Sequence, residues 1–517
     1  MNSVRTQRVG ANVASVLGLA ALLVGCPPPT DIMEGGTDVQ DTGADAQGVD
    51  TVTPMDVQNP DVVTPDVVGD ATSDSGDSGM LPCPASPAPI DVTGNITASA
   101  SWTCMNTYIL RDNSPTFITN SAVLTIGPGT VIHGAAPRSS LIATRGTRIE
   151  AAGTRAQPIV FTSNRPVGMR RQQDWGGVAL LGRASINEGR TAPPVPGVNV
   201  LEGLMPSEES NGAYGGGATP DDNDNSGTFR YVRVEFAGQE LSPNNELNGL
   251  TLAGVGRGTT IDFVQVHRAA DDGVECFGGT VNLRHLVLTQ NEDDGFDWDQ
   301  GYRGRAQFVI IQGIRISSES DPGGIEADND RNVNTAAPIA EPLLYNFTVI
   351  GPGHDVMVTY QNRGVVLRRG TAGRIFNMIV QGWPTGGIDV RDMSTFDLAN
   401  SSLARLAFGS TILFNNGTGG TGHFFEGTSV DAFDEMAWFT GGSMNRVQVD
   451  PMLPAPFSEM APNWVPPASS PCASMGATPP SAPDMGFAFD PTATFVGAIR
   501  PGENDNWTTG WTAYPAN

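Results

Sequence analysis

The sequence predicts an all-β fold, a parallel β-helix with a few peripheral helices, and three observations predict it. From about residue 120 short runs rich in Val, Ile, Leu and Phe alternate with Gly-containing turns, with almost no helical spacing before residue 393. The runs Val232-Arg233-Val234, Val264-Gln265-Val266, Leu286-Val287-Leu288, Val309-Ile310-Ile311, Phe347-Thr348-Val349 and Met378-Ile379-Val380 share one frame, and the second, third and fourth lie 22 and 23 residues apart. A second strand family follows at a similar offset, starting at Val274, Phe296, Ile325 and Ile388. Coils of about 22 residues cannot bury an apolar face alone, but do so by stacking on their neighbours. A β-propeller needs about 40 residues per blade and fits this period less well.

In chain order, residues 1–26 carry Arg5 and Arg8, an apolar run from Ala11 to Val24, and then Gly25 and Cys26, the pattern of a secretory signal peptide. The run is shorter than the roughly 20 residues that span a bilayer. Leu23-Val24-Gly25-Cys26 resembles a bacterial lipobox, which makes Cys26 the expected lipid attachment point and a membrane the expected partner. Pro27 rather than Asp follows, so the expected location is the outer membrane, facing the cell surface. Residues 27–80 hold twelve acids, no base and no aromatic ring, so they are expected to form a disordered, extended tether.

The solenoid is expected over 81–392. Cys83 and Cys104 can pair in an oxidising compartment, whereas Cys276, inside an apolar alternation, reads as a core residue. Zinc is not expected, because no CxxC or Cys/His cluster occurs. The first coils run through Val123–Ile132, Leu141–Ile149, Pro158–Phe161 and Asp174–Leu180. A long acidic insertion follows at about 190–226, a loop expected to lie over one face. Residues 393–440 space their apolar side chains helically. With the Pro-rich 451–484 and the tryptophans Trp507 and Trp511, they read as a C-terminal extension, 393–517, covering an end of the solenoid.

The strings "LTIGPGTVI", "DWGGVALLG", "DDNDNSGTFRYVRVEFAG", "NGLTLAGVG", "DDGVECFGGTVN" and "DNWTTGWTAYP" resemble a family of large secreted or lipid-anchored right-handed parallel β-helix proteins of Gram-negative bacteria, over about 85–517. The resemblance implies the fold, its hand and its location, and carries no reaction with it. The architecture is more distantly similar to pectate lyases and polygalacturonases, without a matching catalytic string.

Charge narrows function. The formal net charge is −26 and all 29 basic residues are Arg, so there is no polybasic run and nucleic acid is not an expected partner. An acidic polysaccharide would be repelled unless divalent cations or local Arg clusters bridged the two. Strand alternation turns Val274 and Cys276, Phe296 and Trp298, Ile325 and Ala327, and Ile388 and Val390 inward. Glu275, Asp297, Glu326 and Asp389 then stack in one outward column, beside Phe277, Asp299, Asp328 and Arg391, with Asp271-Asp272 and Asp293-Asp294 in the preceding turns. Coils stack about 4.8 Å apart, so each adjacent carboxylate pair would repel by roughly 3 kcal/mol at an effective dielectric near 20. Bound Ca2+ offsets that repulsion, with Asp271, Asp272, Glu275, Asp293, Asp294, Asp297, Asp299, Glu326 and Asp328 as candidate ligands. Protonation, or Arg268 and Arg303, are the alternatives.

The expected function is a surface-displayed lipoprotein whose β-helix binds extracellular glycan or another envelope component with Ca2+. The alternative is a lyase or glycoside hydrolase on the same face, using Glu275 with Asp297 as a carboxylate pair, or the Gly353-His354-Asp355 turn as base and Arg368-Arg369 as anion clamp. Tyr302 is read as an exposed aromatic available to a sugar, Trp298 as core, and His267 and His285 as surface residues. The five histidines lack metal-ligand spacing.

Overall fold

A computed structural model describes residues 82–188, 196–242, 245–315, 322–355, 362–424 and 433–517; Cys26 and the segments expected to form the signal peptide and the tether lie outside them. Two long sheets, one of nine strands and one of sixteen, are built from parallel pairs between successive coils. Short strands form the first, running Thr116–Ile118, Ser140–Ala143, Gly177–Leu181, Leu250–Ala253, Val274–Phe277, Phe296–Asp299, Ile325–Ala327, Arg363–Leu367 and Gly386–Val390. The second contains the longer strands Gly227–Glu235, Thr260–His267, Asn282–Thr289, Arg305–Gln312, Leu343–Ile350 and Gly373–Gln381.

Each of these longer strands bends at one residue: Tyr231, Phe263, His285, Phe308, Asn346 or Asn377, with φ between 50 and 66°. The pairing register skips that residue in every coil, and the two arms pair separately, as when Gly227–Glu235 meets Arg148–Ala152 with one arm and Ile159–Ser163 with the other. The coil therefore has three faces. A left-handed non-glycine residue costs roughly 1–2 kcal/mol, and stacking along the solenoid offsets it: Tyr231 lies 4.4 Å from Phe263, Phe263 4.2 Å from His285, and His285 5.2 Å from Phe308. Further along, the column passes to amides, and Asn346 accepts from Gln307 at 2.9 Å.

Inside, Val274, Cys276, Phe296, Trp298, Ile325, Ala327, Ile388 and Val390 belong to one continuous apolar core, so the inward phase is the expected one. Within the expected 81–392 span, coils precede the first one named from the sequence at Val123, with Ala88–Val92 paired to Asn106–Leu110. Cys83 and Cys104 form a disulfide with 5.3 Å between their Cα atoms.

The C-terminal segment, 393–517, differs from expectation. Helix α1, Met393–Ala399, is capped by Asp392, but Leu406–Gly409 and Ile412–Phe414 pair with the two arms of Gly373–Gln381 and so make another coil. Arg446–Val447 adds a further pairing, after helix α2, Glu435–Gly441. The helical spacing arises because the corner at Ser410, φ 49°, inserts one residue into the strand alternation. Nor does the Pro-rich tail cover an end. It runs back along the long-strand sheet, setting Trp511 against Tyr231 and Phe263, Trp507 against His285, and Phe495 against Phe308.

His267 and His285 are consequently buried, a correction to their expected place on the surface. They do point outward, but the tail covers them: His267 Nε2 lies 2.9 Å from the Pro515 carbonyl oxygen. Burial pushes His267 down to about 3 and lowers His285, despite Asp262 Oδ1 at 2.8 Å from its Nδ1.

The outer face of the nine-stranded sheet is divided. Towards the N-terminus its outward residues Ile142, Ala179, Leu181, Ala253 and Phe277 are apolar and lie under Leu201, Tyr214 and Leu247. Leu201 and Tyr214 come from the insertion, whose strands Asn199–Val200 and Ala213–Tyr214 form an antiparallel hairpin. Beyond Phe277 the face turns acidic.

Candidate metal centre

The register places Thr251, Glu275, Asp297, Glu326, Val366 and Asp389 in one outward column. Asp389 is therefore not the neighbour of Glu326, because the strand Arg363–Leu367 intervenes. That strand presents Val366 between the acids Glu326 and Asp389, so the acidic pattern did not reveal it. The column is also not a solvated face. All nine candidate ligands are at most 7% exposed, and Asp297, Asp299 and Asp328 are at 0%. The turns interlock: the Asp272 N–H donates to Asn248 Oδ1 at 3.2 Å, and the Asp294 N–H to Asp272 Oδ1 at 2.9 Å.

Charge compensation differs along the ladder. Towards the C-terminus, Arg368 binds Glu326 and lies 2.9 Å from Asp328, Arg369 lies 2.7 Å from Asp328, and Asp389 lies 3.1 Å from Arg363 and 2.9 Å from Arg391. At the other end both carboxylate oxygens of Asp297, Oε1 of Glu275 and Oδ2 of Asp299 are buried without a hydrogen-bond partner. The second oxygen of Glu275 accepts from Asn248 Nδ2. Arg268 and Arg303, considered as neutralising partners, pair with Glu459 at 3.7 Å and Asp222 at 3.2 Å instead.

Burial, the largest cause, pushes the Glu275 carboxyl well above its ordinary range, helped by Glu202, Asp272 and Asp271. Asp297 rises for the same reason, then through Asp272, Glu275, Glu326 and Asp294. In Asp299 burial is joined by Asp328, Glu188 and Asp330. Glu188, Glu202 and Asn248 contribute although the sequence reading missed them. For Asn248 a signal existed: Asn248-Gly249-Leu250 occupies the frame of Asp272-Gly273-Val274 and Asp294-Gly295-Phe296.

Three overlapping sets bring oxygens within 4.8 Å of one another: Asp271, Asp272 and Asp293; Asp272, Glu275 and Asp297; and Asp294, Asp297 and Glu326. Bonds of 2.3–2.6 Å to one ion hold oxygens no more than about 5 Å apart, so the sets fit a hard cation. Their purely oxygen chemistry selects Mg2+, Ca2+ or Mn2+ over softer metals. These buried acidic groups can hold a metal ion.

The proposed catalytic groups outside the ladder do not assemble with it. His354 Nε2 lies 2.8 Å from the Asn415 carbonyl oxygen, and Asp355 pairs with Arg315 at 2.7 Å. Arg368 and Arg369 are held by the ladder itself and so make no anion clamp. Tyr302, expected to be exposed, is fully buried and donates to the Val281 carbonyl at 2.8 Å, because its coil turns it into the core. An open cleft of about 620 Å3 does flank the acidic turns, lined by Ser163, Arg165, Arg171, Asp174, Gln239 and Glu292. Arg171 keeps 72% of its side chain exposed there.

The family described as "Pectate-lyase like beta helix domain" matches residues 94–419. The chain belongs to this family. The match spans every member of the acidic ladder and ends just beyond the extra coil at Ile412–Phe414. Among solved structures, the crystal structure of pectate lyase Pel9A is similar to this pectate-lyase-like β-helix at 12% identity and a TM-score of 0.33, covering 80% of this chain and 86% of that one. Comparison with curated protein sequences finds no match.

Proposed function

We propose that this β-helix is displayed on the cell surface by a lipid on Cys26 and the acidic tether, and binds an acidic extracellular glycan through Ca2+ held by Asp272, Glu275 and Asp297. One observation carries the reading: Asp297 is fully buried with neither oxygen hydrogen-bonded. A buried carboxylate is costly unless something cationic meets it. Bound there, Ca2+ supplies positive charge that a chain at −26 otherwise lacks for an anionic ligand. Arg165 and Arg171, at the lip of the neighbouring cleft, add cationic groups within reach of solvent.

The test is a glycan array probed with the mature chain in Ca2+ and in chelator. Binding to acidic glycans that chelator abolishes supports the reading, and binding indifferent to chelator overturns it. Degradation is the second reading, favoured by family membership and by the stacked Glu275 and Asp297. New reducing ends or unsaturated products in the same incubations would select it. The anchor is tested separately, since Cys26→Ser should abolish membrane fractionation of the processed chain.

A further inference from the structure

The cation sets overlap, and the residue they share is the one whose oxygens are bare. Asp297 belongs both to the set with Asp272 and Glu275 and to the set with Asp294 and Glu326. Its strand lies between those of Glu275 and Glu326, paired on one side to Val274–Phe277 and on the other to Ile325–Ala327, and Asp294 stands in the turn before it. Glu275 Oε1, in the first set, is likewise buried without a hydrogen-bond partner. One cation would satisfy one set and leave the other side of Asp297 facing Asp294 and Glu326. We propose that Asp297 bridges two divalent cations, one bound with Asp272 and Glu275 and one with Asp294 and Glu326. This rests on the metal reading above and deepens it from a single ion to a two-ion centre.

The two positions are not equivalent. Glu326 also binds Arg368, so the second ion sits beside a guanidinium and is held more weakly. Divalent ions about 4 Å apart are tolerated where oxygen ligands are shared between them. Asp271, Asp272 and Asp293 form the third set, but it contains neither Asp297 nor Glu275, and the observation that calls for an ion does not extend to it.

The experiment is calorimetric titration of the mature chain with Ca2+ at physiological salt, for the natural chain and three variants. The expected result is that Asp297→Asn loses two ions relative to the natural chain, and that Glu275→Gln and Asp294→Asn lose one each, Asp294→Asn losing the weaker. Variants that lose no ion at all overturn both this inference and the metal reading. If Glu275→Gln and Asp297→Asn each lose one ion while Asp294→Asn loses none, the centre is mononuclear; the bridge is then wrong and the metal reading survives. Asn and Gln are close in shape to the acids they replace, and melting each variant in chelator shows that it has folded.

Discussion

The two ends of the acidic ladder meet the same electrostatic problem with different solutions. Around Glu326, Asp328 and Asp389 the chain supplies its own cations, Arg363, Arg368, Arg369 and Arg391, at ion-pair distance. Around Glu275 and Asp297 the carboxylates are equally buried, yet bare oxygens remain and burial pushes the carboxyls upward. Burial alone therefore does not mark a ligand site. What separates the compensated end from the bare one is whether a neighbouring Arg reaches the carboxylates.

The largest effect is expected where compensation is internal. Arg368→Met strips Glu326 and Asp328 of a shared partner, and breaking a buried ion pair from one side typically costs 3–5 kcal/mol. Denaturant melts should show the loss in full in chelator and only partly offset in Ca2+, because Asp328 belongs to none of the cation sets. A loss that Ca2+ fully restores would mean that the two ends are interchangeable.

At the other end the proposed compensating charge is a cation from solution. An ion bound only by the folded chain at one hundred times its Kd adds about 2.7 kcal/mol. Ca2+ should therefore raise Tm and chelator lower it, by several degrees. Coincident melting curves would leave only protonation to account for the bare oxygens.

Asp297→Asn should blunt that shift while changing stability in chelator in the opposite direction. Removing a buried, unpaired charge is expected to stabilise the ion-free chain by roughly 1–3 kcal/mol. A variant less stable than the natural chain in chelator would show that Asp297 is already satisfied without metal.

Much of this contrast was legible in the sequence, and the part that was not has physical causes. The strand frame, the inward phase of Trp298 and Cys276, and the stacking of Glu275 on Asp297 follow from side-chain alternation, which is local. The strand Arg363–Leu367 went unseen because it is apolar on both faces, as a strand covered on both sides is. With it went the register that sets Arg363 beside Asp389, and Arg368 and Arg369 were read as an anion clamp instead of as partners of Glu326 and Asp328. Outward direction was read correctly for His267, His285 and the acids, but exposure was not. What lies over an outward residue is set by segments distant in sequence: Trp507 over His285, and the Pro515 carbonyl over His267.

The smallest expected effect is on pH dependence, and it sharpens the comparison without a mutation. Because the Glu275 and Asp297 carboxyls are raised by burial, the folded chain retains protons that the unfolded chain, titrating near pH 4, has already released. Their contribution in chelator is thus fully present below about pH 4 and is lost as pH rises through the raised native values, at up to about 1.4 kcal/mol per proton per pH unit. Saturating Ca2+ should flatten this decline, since the ion binds the same deprotonated oxygens the proton leaves, and its apparent affinity should fall as pH is lowered. The measurement is Tm against pH in Ca2+ and in chelator, with Asp297→Asn as the control expected to lose part of the slope. Parallel profiles in the two conditions would detach the raised carboxyls from cation binding and place the centre in the same class as the Arg-compensated end.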